Sequence, residues 1–98
     1  MTATRRKTRP PSLARVLQAL SDPVRLRIVS LSARGELACC EFGLGLPKAT
    51  LSHHFKVLRQ AGIIRVRTAG TRHMTSLNRA ELDQRFPGLL KAVLAAAR

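Results

Sequence analysis

LPKATLSHHFKVLRQAGIIRVRTAGTRHMTSL, running from Leu46 to Leu77, is the stretch that decides the fold. Pro47 sits in its opening turn and Gly62 just beyond its first half, the usual order at the two ends of a helix. Wound at about 100° per residue, Leu51, Phe55 and Leu58 fall within roughly 60° of one another. Ala49, His53, Lys56 and Gln60 lie opposite, with Lys48, Ser52 and Arg59 on one flank. One face is apolar enough to pack; the other is small, hydrogen-bonding and cationic. A helix so divided fits the major groove of double-stranded DNA.

The second half predicts a hairpin. IIRVRT alternates, placing Ile64 and Val66 on one face and Arg65 and Arg67 on the other. Thr68-Ala69-Gly70-Thr71 supplies a glycine for the tip, and RHMTSL returns with Arg72 and His73 beside it. Three arginines next to a turn pack poorly but clamp a phosphate backbone well. The expected fold is a winged helix-turn-helix, mainly α, with about five helices and a two-stranded wing.

The 98 residues make one domain with a modest core, which a dimer interface would enlarge. Its 18 Lys and Arg outnumber 5 Asp and Glu, and the resulting +13 calls for a polyanionic partner, most often nucleic acid. Phe42, Phe55 and Phe86 are the only aromatics, so the stacking surface of single-stranded RNA readers is missing. No run reaches a membrane-spanning length, and MTATRRKTRPP lacks the apolar centre of a secretion signal. The expected location is the cytoplasm. Adjacent Cys39 and Cys40 give no disulfide framework.

Residues 1 to 10 carry Arg5, Arg6, Lys7 and Arg9 and read as a flexible basic arm, either a DNA contact or a solvated tail, ahead of a domain over 11–98. Leu13, Val16, Leu17 and Leu20 mark a first helix from about Pro11 to Leu20. Asp22 and Pro23 open a second, ending near Gly35, whose many apolar residues call for packing on two sides. ELACCEFGLGL predicts a stubby helix from about Leu37 to Phe42, weakened by Gly43 and Gly45. Asn78 and Glu81 form an expected capping box, and Pro87-Gly88 divides the last helical stretch. Leu89, Leu90, Val93, Leu94 and Ala97 then make an apolar stripe with little left to cover. Pairing Leu89, Val93 and Leu94 with Leu13 and Leu17, and with the same helices of a second copy, would bury it. The plainer alternative is that the stripe caps its own core.

LSDPVRLRIVSL, TLSHHFKVLRQAGII and the hairpin together resemble the ArsR/SmtB family of bacterial winged-helix repressors, over roughly Leu13 to Leu77. That resemblance implies a homodimer that binds operator DNA and leaves it when an effector binds. It does not name the effector.

Scattered acids and the lack of a glycine-rich phosphate loop argue against an enzyme. Many members of the resembled family carry Cys-x-Cys near the third helix, or carboxylates and histidines on the last. Here the cysteines are adjacent, about 100° apart on a helix, and the last helix has Glu81 and Asp83 without a histidine. The usual metal sites are degraded. A transition-metal ion held through Cys39, Cys40 or His73 therefore stands against two inert thiols, and an auxiliary sensor protein is a further route to regulation.

Lys48, Thr50, Ser52 and His53 are expected to reach base edges, and Lys56, Arg59, Arg65, Arg67 and Arg72 to hold the backbone. His54 lies nearer the apolar face, as a support. One rival reading is a nonspecific, architectural nucleic-acid-binding protein. Another is a thiol-redox protein centred on Cys39-Cys40, for which the Cys-x-x-Cys is lacking.

Overall fold

Helix α1, Leu13–Ala19, starts where the Ser12 hydroxyl accepts the Arg15 N–H at 3.3 Å. Helix α2, Pro23–Ser32, starts on Asp22, whose Oδ1 accepts from the N–H groups of Val24 and Arg25 at 2.7 and 3.2 Å. Those two donors would otherwise be orphans of the first turn. The structure is a computed structural model and describes residues 11–97; the expected basic arm, residues 1 to 10, lies outside them.

The segment after α2 departs from expectation. In place of a stubby helix over Leu37 to Phe42 come a short strand β1, Leu37–Ala38, and a single 3-10 turn, Cys39–Glu41. Two interactions win over helix propensity there. Leu37 and Ala38 pair with Thr75 and Met74 in the sheet, and the Glu41 carboxylate takes the Ala38 N–H at 2.8 Å. Gly43 and Gly45, at φ +62° and +68°, then turn the chain toward the next helix.

Helix α3, Lys48–Gln60, leads into strands β2, Ile64–Ala69, and β3, Arg72–Leu77, joined by the two-residue loop Gly70-Thr71. The sheet is antiparallel in the order β1-β3-β2, so the expected two-stranded wing gains a third strand. Helices α4, Arg79–Arg85, and α5, Leu89–Ala96, close the fold. The expected capping box at Asn78 is not formed. Its side-chain amide donates instead to the Gly62 carbonyl at 3.0 Å and to Glu81 at 3.2 Å.

The α3–β2 junction fixes the angle between α3 and the wing. Gly62 donates to the Arg59 carbonyl and Ile63 to that of Leu58, each at 3.0 Å, the two bonds of a Schellman stop. Gly62 is held at φ +80°, and a Cβ there would lie 2.8 Å from Pro11 Cγ. Only glycine satisfies both demands. Below this junction lies the core, in which Val16, Ile28, Val29, Leu58, Ile63, Ile64, Leu82 and Leu90 are buried. All five helices and the sheet therefore contribute to one cluster.

Candidate nucleic-acid interface

Helix α3 is anchored from one side only. Leu58 and Phe55 are buried, and the Phe55 ring meets Phe42 edge-on with centroids 5.1 Å apart. Lys48, Thr50, Ser52, His53, Lys56 and Arg59, the residues expected to face DNA, are all exposed. The apolar face holds the helix and leaves the polar face free to enter a groove.

His54 takes the supporting place expected of it. It is half-buried, and its Nδ1 lies 3.2 Å from the Arg25 guanidinium, whose Nε donates to the Ala19 carbonyl at 2.7 Å. An arginine can only donate, so Nδ1 is the accepting nitrogen. Arg25 thus ties the end of α1 to α3.

Two clefts flank α3. The first, about 640 Å3, opens toward the wing between Cys39, Cys40, Lys48, Phe55, Lys56, Arg59 and His73, among others. The second, about 450 Å3, opens toward α1 and is lined by Arg15, Gln18, Arg25, His53 and Gln60 with small apolar neighbours. A helix seated in a major groove has a phosphate strand on either side, so a cationic cleft on each flank is the matching shape. Sequence reasoning missed Arg15, Gln18 and Arg25. They lie on α1 and α2, and only the tertiary fold brings them beside His53.

The wing arginines divide. Arg65 is exposed and has no ion pair among the described residues. Arg67 donates from Nε and Nη2 to the two carboxylate oxygens of Glu36, each at 2.8 Å. Those hydrogen bonds hold the Glu36 carboxyl below its ordinary range. Arg72 lies 3.2 Å from Glu41, whose carboxyl is held low first by the Ala38 N–H and then by Arg72. Two of the three wing arginines therefore already have carboxylate partners.

The two thiols also part company. Cys39 is half-buried with Sγ 3.4 Å from the Thr75 hydroxyl, while Cys40 is exposed on the wing-side cleft. His73 lines the same cleft. Among the described residues, no group of three or more His, Cys, Asp or Glu side chains is assembled to hold a metal ion. Cys39, Cys40 and His73 share the cleft lining without forming such a group.

Leu13 and Leu17 of α1 are 49% and 48% exposed, large apolar side chains left in water. Leu89, Val93 and Leu94 of α5 are half-buried and pack partly on their own core. The α5 stripe thus serves its own subunit in part, and α1 offers the more open surface. No helix of the described residues is long and apolar enough to cross a membrane.

Comparison with known proteins bears directly on this arrangement. The family model for bacterial regulatory proteins of the arsR family matches residues 22–66, from the α2 cap into the first half of strand β2. The chain is 40% identical over 73 residues to an arsenical resistance operon repressor of Staphylococcus xylosus, across 72% of this chain and 70% of that relative. Its fold is similar to the crystal structure of the transcriptional repressor BigR from Xylella fastidiosa (TM-score 0.68, 32% identity, 85% of this chain and 83% of that one). It is also similar to the solution structure of a homodimeric winged helix-turn-helix DNA-binding domain from Mycobacterium bovis (TM-score 0.72, 29% identity, 87% of this chain and 77% of that one).

Proposed function

The chain belongs to the arsR family of bacterial regulatory proteins, and on that premise we propose that it is a homodimeric repressor that reads operator DNA through α3. The observation that carries this reading is the one-sided anchoring of α3, with an exposed cationic face between two basic clefts. Lys48, Thr50, Ser52 and His53 reach base edges. Lys56, Arg59 and Arg65 hold one phosphate strand, and Arg15 and Gln60 meet the other from the α1 side. Arg67 and Arg72 contribute only by exchanging carboxylate for phosphate.

Dimerisation runs through α1 and α5, with Leu13 and Leu17 facing Leu89, Val93 and Leu94 of a second copy. Two α3 helices then meet half-sites related by a two-fold, one helical turn or a multiple of it apart. Such a regulator works in the cytoplasm, where its DNA is. An auxiliary sensor protein, if one drives release, would be recognised by the need to add it to the release assay.

The test is selection from a random duplex pool followed by footprinting. A two-fold-symmetric consensus protected on one DNA face supports the reading. Equal binding to every sequence would instead mark a nonspecific architectural protein.

A further inference from the structure

The wing-side cleft is more than a phosphate seat. Leu51, Phe55 and Val66 are buried or half-buried and make an apolar floor, while the exposed Lys48, Lys56 and Arg59 stand at its mouth. No carboxylate of the described residues lines it. The two carboxylates nearest in sequence to its cysteines are engaged elsewhere, Glu36 by Arg67 and Glu41 by Arg72. The three cations at the mouth have no ion-pair partner among the described residues. A sugar-phosphate strand would satisfy those charges and leave the apolar floor unused. The cavity, about 640 Å3, falls within the roughly 300–1,000 Å3 span of small-molecule sites.

We propose that this cleft is an effector site for a small amphiphilic carboxylate. The apolar chain lies on Leu51, Phe55 and Val66, and the carboxylate meets Lys48, Lys56 or Arg59. The regulatory half of this assignment rests on the DNA-binding reading, because the same cations are to hold phosphates. Ligand and duplex then exclude one another, each lowering the other's affinity by the same factor. No movement of the fold is required.

The test uses the full chain with decanoate, octanoate, decanol and decyltrimethylammonium. Calorimetry follows binding to the protein alone, and fluorescence anisotropy follows release of a selected duplex. Decanoate should bind and release DNA, with each CH2 removed weakening binding about fourfold. Decanol and the cationic amphiphile should be weaker than decanoate by at least about tenfold. Cys40→Phe fills the cleft from an exposed position. In calorimetry on the protein alone, the variant should bind decanoate at least about tenfold more weakly than wild type.

Equal release by decanol or decyltrimethylammonium would show nonspecific detergency and overturn the proposal. So would a folded Cys40→Phe variant that binds decanoate as tightly as wild type does. Should that variant misfold, the wild-type ligand series decides alone. If wild type binds no duplex, the DNA reading fails, while decanoate binding to the free protein still decides the cleft.

Discussion

Arg67 closes a two-point fork on Glu36, with both bonds at 2.8 Å, and so ties wing strand β2 to the residue just ahead of β1. To touch a phosphate, Arg67 must leave that carboxylate. Glu36→Gln should therefore tighten binding to every duplex several-fold at low salt, by freeing one cation and removing one anion. The melting temperature should barely move, since an exposed ion pair contributes little. Weaker binding from Glu36→Gln would mean that the fork holds the wing in place, and would make Arg67 a positioning residue.

Leu17→Asp tests the proposed dimer more cleanly than a change on α5. Leu17 is already 48% exposed in the single chain, so a carboxylate there leaves the monomer core intact. In a dimer it would bury an unpaired charge. Sedimentation should show wild-type dimers and Leu17→Asp monomers at micromolar concentration, with near-equal circular dichroism. A wild-type monomer under those conditions removes the interface.

Asp22 gives the pH dependence its sign. Partial burial opposes its ionisation, but the N–H groups of Arg25 and Val24 and the charge of Arg25 outweigh that effect. Its carboxyl is held below its usual value of 3.8. The folded state then binds this proton less readily than the unfolded one. The contribution is fully present above the unfolded value and disappears as pH falls through the folded one. Asp22→Ala should cost about 1 kcal/mol at neutral pH in a urea melt, and much less once the wild-type carboxyl is protonated. An equal loss at both pH values would locate the stabilisation elsewhere.

The neighbouring histidines should separate by function. His53→Ala is expected to blur base preference at one or two positions of each half-site while leaving stability unchanged. His54→Ala removes the acceptor for Arg25 and should cost about 1–2 kcal/mol. Its sequence preference should remain intact. A reversed pattern in selection and melting experiments would swap the two assignments.

Much of this was legible because its causes are local. Pro47, Gly62 and the spacing of Leu51, Phe55 and Leu58 carry α3 in the sequence, and Asp22-Pro23 carries the start of α2. The failures share a different origin. Leu37 and Ala38 are strand because β3 lies beside them, a long-range pairing that no local pattern announces. Asn78 abandons its expected cap because Gly62 offers a carbonyl from across the fold. The engagement of Arg67 by Glu36 spans 31 residues, and alternation alone could only place that arginine outward. Arg15 comes to line a cleft with His53 for the same reason, through the packing of α1 against α3.

The central claim is that an exposed, cationic α3 reads DNA by sequence, and anisotropy with a selected duplex tests it most directly. Affinity for that duplex is measured across salt concentrations for wild type, Lys56→Ala and Arg15→Ala, against a scrambled duplex. The account predicts a steep fall with salt, a slope flattened by about one for each phosphate-binding cation removed per subunit, and preference for the selected duplex of at least about a thousandfold. Equal affinity for selected and scrambled duplexes, or slopes untouched by either substitution, would contradict it.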